Sequence, residues 1–148
     1  MLSKSTEYSI RALVFVQLRN WEDKRPGVVE IAKEIDAPTA FTAKVLHILT
    51  THQVLFSLKG RGGGFYFPDY NSDRSLYDVI TVTEGDRLFT KCGFGLKHCN
   101  DAIPCPLHDE YAKIRDRILK LAKSETIASL AGKIKEGKAV LNRQILYG

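Results

Sequence analysis

The sequence predicts a mainly α protein with a small β-hairpin wing, a winged helix-turn-helix domain followed by a long dimerisation helix. Three observations predict it. Two short helical segments, residues 28–35 and 39–51, flank the turn Asp36-Ala37-Pro38. A glycine-rich stretch, Lys59 to Gly64, separates two short apolar runs that suit a hairpin. Leu107, Tyr111, Ile114, Ile118 and Leu121 recur at intervals of four, three, four and three, a heptad seam with charged residues on the other faces. The expected division is 1–84 for the winged domain, 85–105 for a cysteine-containing loop, and 106–148 for the dimerisation helix and C-terminal segment.

The elements follow in order. Ser3 or Ser5 can cap a first helix running through Tyr8, Ala12, Phe15 and Leu18 toward Arg19. Residues 20–27 carry four charges, a Pro and a Gly, and read as a loop. The next helix puts Ile31, Ala32 and Ile35 on one face, and Pro38 cannot continue it. Thr39 is expected to cap the following helix, with Phe41, Val45, Leu46 and Leu49 inward and Thr39, Ala40, Ala43, Lys44 and His47 outward. Strands are expected at 54–58 and 65–67, a short helix at 75–83, and mostly loop over 85–104. Ser124 is expected to end the long helix and cap a last one through Leu130, before a basic tail at 133–148.

Charge sharpens the reading. Lys and Arg number 22 against 17 acids in 148 residues, a net charge of +5. From Ala37 to Pro68 there is no Asp or Glu, while Lys44, His47, His52, Lys59 and Arg61 fall inside that stretch. A surface cleared of carboxylates suits phosphate contact, so double-stranded DNA is the expected partner. The second helix is sized for the major groove, and the methyl groups of Thr39, Ala40 and Ala43 suit thymine methyls. Glycine at 62 and 63 lets the wing backbone approach phosphates. The longest apolar run, Ala12–Val16, is far too short to span a bilayer, so no membrane association and a cytoplasmic location are expected. Enzyme signatures are missing: there is no nucleophile–base–orienter set, no nucleotide-binding loop and no H-E-x-x-H.

Cys92, Cys99 and Cys105 are spaced C-x6-C-x5-C in a glycine-containing loop. An odd number of cysteines in a reducing compartment does not form a disulfide framework. Thiolates are soft ligands for iron–sulphur clusters, and a wide spacing can wrap one. A structural zinc site usually carries close C-x2–4-C pairs. A thiol redox switch, a zinc site and inert cysteines remain open beside the cluster.

Two segments carry a family resemblance. Leu2-Ser3-Lys4-Ser5-Thr6-Glu7-Tyr8 leading to Arg11-Ala12-Leu13, and the wing Leu55-Phe56-Ser57-Leu58-Lys59-Gly60-Arg61-Gly62-Gly63-Gly64-Phe65, resemble the IscR/NsrR-like iron–sulphur-cluster winged-helix transcriptional regulators. The likeness covers nearly the whole chain. Departures are Thr42 for the usual Leu, Gln53 for the usual helix-ending Gly, and Lys59 for the usual Arg. The resemblance implies a homodimeric operator-binding regulator, with Ser57, Lys59, Arg61, Gly62 and Gly63 at the DNA and a two-iron or four-iron cluster on the three cysteines. It also implies a fourth ligand, either His108 of the same chain or Glu7 of the partner subunit, with His98 a lesser candidate. Mechanism leans toward Glu7, which would tie one subunit's loop to the other's reading domain. The implied signal is nitric oxide, iron or cluster supply, or redox state. The rival readings are a thiol- or zinc-dependent regulator of the same fold, a redox metalloenzyme and a zinc adaptor.

Overall fold

The structure, a computed structural model, describes residues 2–143. The end of the expected basic tail, 144–148, lies outside the described residues. Helix α1 spans Lys4–Trp21, and Ser3 caps it by accepting the Thr6 N–H at 3.2 Å. It runs past Arg19 into the segment expected to be loop, and the reason is polar. Gln17 and Asn20 are fully buried and act as clamps. Gln17 donates to the Tyr70 carbonyl at 2.8 Å and accepts the Ser72 N–H at 2.7 Å. Asn20 donates to the Lys24 and Phe65 carbonyls and accepts the Phe67 N–H at 2.9 Å. Buried backbone groups that would otherwise be orphaned are thereby satisfied.

Helices α2, Val28–Glu34, and α3, Thr39–Thr51, form the helix-turn-helix. Thr39 does not cap α3: Pro38 is the N-cap and Thr39 is already helical, while Thr42 donates to the Pro38 carbonyl at 2.9 Å. Gln53 takes φ 58°, the left-handed conformation in which glycine ends helices. The wing pairs β1, Phe56–Leu58, with antiparallel β2, Gly64–Tyr66, in the register Phe56↔Tyr66, Ser57↔Phe65 and Leu58↔Gly64. The first strand is shorter than expected, since Val54 and Leu55 are buried in the core rather than paired, and the second keeps its length but starts one residue earlier, at Gly64.

A short 3-10 turn, Pro68–Tyr70, leads to α4, Leu76–Glu84, closed by a capping box between Ser75 and Asp78. The region expected to be mostly loop contains a further helix, α5, Arg87–Thr90, because Phe89 is buried against Tyr77 with ring centroids 5.0 Å apart. Helix α6 spans His108–Ser124 and α7 spans Ile127–Lys135. Thr126, not Ser124, caps α7, in a reciprocal capping box with Ser129.

The main core joins Ala12, Leu13 and Val16 of α1 to Ile31, Ile35, Leu46, Leu49, Leu55 and Phe67, and also to Ile127 and Ala131 of α7. The C-terminal segment is therefore part of the same core as the helix-turn-helix. A smaller cluster of Ile80, Phe89 and Ala122 fixes α5 and α6 on α4. Along the seam, Leu107, Ile114 and Leu121 are exposed, with Leu121 at 57%. Tyr111 and Ile118 are half-buried and line a groove of about 360 Å³ with Leu2, Ile10, Leu76, Ile80 and Leu88. Among the described residues no helix is long and apolar enough to cross a membrane.

Candidate DNA-reading surface and thiol site

Thr39, Ala40, Ala43, Lys44 and His47 all lie on the exposed side of α3. Opposite them Thr42, Val45, Leu46 and Leu49 are buried, so the outward set is fixed by what the core takes. Thr42 fills its buried position by turning its hydroxyl onto the Pro38 carbonyl, which a buried polar atom requires. In the wing Ser57, Lys59, Arg61 and Gly62 are exposed and Gly63 is half-buried.

The glycines answer first to the chain itself. Gly62 has φ 76°. A side chain at Gly63 would collide with the Leu58 carbonyl, and one at Gly64 with the Arg25 carbonyl. Phe65 N–H donates to the Pro26 carbonyl at 2.9 Å, and Arg25 donates to the Gly62 carbonyl at 3.2 Å. Arg25, a further cation at the wing, was hidden in the sequence because its segment read as plain loop.

The three cysteines gather between α5 and α6 and, with His108, form two close pairs. The Cys92 and Cys105 sulphurs are 3.5 Å apart, and Cys99 Sγ is 3.5 Å from His108 Nδ1. His108 Nε2 lies 2.8 Å from Asp101 Oδ1. An Nε2–H donating to Asp101 leaves the Nδ1 lone pair facing Cys99, the usual way a carboxylate orients a ligating imidazole. Ligand atoms of Cys99, Asp101 and His108 all lie within 4.8 Å of one another. Burial opposes ionisation of Cys92. The backbone N–H groups of Leu96, Phe94 and Gly95, with the Cys105 thiol, outweigh it and hold the Cys92 thiol below its ordinary pKa.

Glu7 sits elsewhere in the chain, at the start of α1, half-exposed and 3.4 Å from Lys4 Nζ. His98 is exposed and lines the same basin as Cys92 and Cys99. Asp101 and Arg115 belong to the site and carried no recognised motif. Arg115, seven residues on from His108 and four on from Tyr111, shares their helix face, a signal that periodicity could have supplied.

The profile of the Rrf2 family, described as an iron-dependent transcriptional regulator, matches residues 2–133. The chain belongs to the Rrf2 family. Among Rrf2-type and related proteins, a protein described as an HTH-type transcriptional regulator of Aquifex aeolicus is 28% identical over 132 residues, 88% of this chain and 90% of that one. The HTH-type transcriptional regulator NsrR of Oceanobacillus iheyensis is 26% identical over 130 residues, 87% of this chain and 88% of that one. Two solved structures share the fold. CymR of B. subtilis, the global cysteine regulator, superposes with a TM-score of 0.71 at 16% identity over 89% of this chain and 96% of that one. IscR of T. potens superposes with a TM-score of 0.70 at 17% identity over 95% and 92%. This Rrf2 chain thus has the winged-helix architecture expected of it, and its relatives are transcriptional regulators rather than enzymes.

Proposed function

We propose that this Rrf2 regulator is a cytoplasmic homodimer that binds a pseudo-palindromic operator and responds to gain or loss of an iron–sulphur cluster on Cys92, Cys99, Cys105 and His108. The observation that carries this reading is the arrangement of four donors as two pairs, each with its atoms 3.5 Å apart. A pair at that separation suits two ligands on one metal with bonds near 2.3 Å, since the edge of such a tetrahedron is about 3.7 Å. Two pairs suit two irons, and histidine replaces cysteine on iron in some two-iron clusters. The N–H groups around Cys92 favour the thiolate that such binding needs. Held by these residues, a cluster would supply a redox-sensitive link between the Cys92–Cys105 pair and the Cys99–His108 pair, and so between the loop and α6.

His108 has the geometry of one chain behind it. Glu7 as fourth ligand requires the partner subunit's α1 to reach this loop. The chain's own residues do the rest of the work. His108 sits at the first residue of α6, so the state of the loop bears on the helix that carries Ile114, Ile118 and Leu121. Two copies joined along that seam place two α3 helices and two wings on one duplex, with Thr39, Ala40, Ala43, Lys44 and His47 toward bases and Ser57, Lys59, Arg61, Gly62 and Gly63 toward the backbone.

The test is anaerobic purification with an absorption spectrum and iron and sulphide counts, followed by operator binding with and without the cluster. A colourless protein lacking iron and sulphide overturns the reading, as does operator affinity that ignores the cluster. A second reading has one specific observation in its favour. The Cys99, Asp101 and His108 atoms are close enough for a single divalent ion, leaving Cys92 and Cys105 as a thiol pair. Zinc without sulphide in the purified protein selects it.

A further inference from the structure

Arg115 is a cation facing inward from α6 that the ligand set does not use. We propose that Arg115 is the positioning residue of the thiol site, one guanidinium that holds both ligand pairs against α6. The proposal takes its chemistry from the cluster reading above and its geometry from this chain.

Arg115 Nη1 donates to the Lys91 carbonyl at 3.0 Å, the residue directly before Cys92. The Cys99 side chain lies beside the same guanidinium and favours its charged form. The first contact ties down the approach to the Cys92–Cys105 pair, and the second sets a fixed positive charge beside the Cys99–His108 pair. One helical turn earlier on the same face, the Tyr111 ring lies so close to Gly93 that a Cβ there would fall 2.5 Å from ring carbon Cδ2. A turn earlier still, His108 meets Cys99. Residues 108, 111 and 115 make one stripe of α6 that the loop wraps.

Arginine suits this post better than lysine. Its planar fork presents several N–H donors in fixed directions, so one side chain can bridge a carbonyl and a sulphur. An N–H donor on a ligand sulphur withdraws charge from the metal site. Hydrogen bonds to the sulphurs are among the factors that set cluster potentials.

The experiment compares the full chain with Arg115→Gln, Arg115→Lys and the control Lys113→Gln, which is exposed on the same helix and pairs with Glu110. Three quantities are read: the rate of cluster loss to a chelator, the reduction potential, and amide hydrogen exchange over residues 91–99 in the metal-free protein. Arg115→Gln is expected to lose the cluster roughly tenfold faster, the effect of one charge-assisted hydrogen bond. Its potential shifts negative and its loop exchanges faster, while Lys113→Gln matches the parent. Arg115→Lys falls between, keeping the charge and losing the fork. Parent-like loss, potential and exchange in Arg115→Gln overturn the proposal. Should Arg115→Gln fail to fold, Arg115→Lys decides, and parent-like values in it overturn the proposal. If the parent itself takes up no iron and sulphide, the cluster reading fails separately. Exchange then decides alone: a deprotected loop in Arg115→Gln supports the holding role, and parent-like protection overturns it.

Discussion

Replacing Asn20 by Leu is the sharpest test of how α1 sets the wing. Both side chains branch at Cγ, so the change removes the hydrogen bonding while keeping the outline of the side chain, and the larger methyl groups add to the cost rather than offset it. Asn20 is buried, and its Oδ1 accepts the buried Phe67 N–H at 2.9 Å. Its Nδ2 donates to the Lys24 carbonyl at 2.9 Å and more weakly to the Phe65 carbonyl at 3.3 Å. Leucine leaves the Phe67 donor orphaned, which costs about 1–3 kcal/mol. The carbonyls have second lone pairs and Lys24 is exposed, so they add only about 1 kcal/mol together. The expected loss is about 2–4 kcal/mol, a large share of the roughly 7–20 kcal/mol that holds a chain of this size. With a urea slope of about 2 kcal/mol per molar, the midpoint falls by roughly 1–2 M. Urea unfolding followed by circular dichroism measures it. A midpoint within about 0.2 M of the parent would refute the clamp, because Phe67 N–H would then have found another partner at no cost.

Four further outcomes follow from the same structure. Ile114→Asp, which sets a charge on the unpartnered seam, is expected to give monomer in sedimentation, and a folded dimer would move the interface elsewhere. Lys59→Ala with Arg61→Ala should reduce the log–log salt slope of operator binding by about two or more per dimer, at roughly 0.9 per phosphate contact; an unchanged slope removes the wing from the interface. Gln53→Gly should raise stability by about 1 kcal/mol in thermal unfolding, since it relieves a left-handed residue. Burial pushes the Glu84 carboxyl up, but hydrogen bonds from the Thr6 hydroxyl and the Ser3 N–H outweigh it and leave the pKa below the ordinary value. Its contribution is complete above the unfolded value near 4.3 and is lost as pH falls through the lower folded value, so Glu84→Gln should flatten the acid limb of the stability curve.

Much of this fold was legible because periodicity reports burial. Ile31, Ile35, Val45, Leu46 and Leu49 read as inward and are buried, and the outward α3 set was its complement. What escaped notice was held by polar atoms. Gln17 and Asn20 extend α1 by hydrogen-bonding distant backbone, a role that no local pattern reveals. Phe89 nucleates α5 through contact with Tyr77, which the glycines around it concealed. Its burial, with that of Cys92, also makes the cysteine region part of a core where the sequence suggested mostly loop. At the thiol site the three cysteines were visible by spacing alone. Asp101 was not, because it acts through His108 and only the folded chain brings it there, whereas Arg115 could have been placed on the His108 face by helical spacing but not assigned a partner in the loop.

The packing of α7 on α1 bears on how the protein is made. Ile127 and Ala131 complete the same core as Ala12 and Leu13, more than a hundred residues upstream. On the ribosome, the helix-turn-helix and wing emerge long before those two residues do. Until they arrive, α1 keeps part of its apolar face open and the reading head lacks a closing wall. A nascent or prematurely terminated chain therefore lacks part of this core. A fragment ending before α7 would present apolar surface to chaperones and proteases.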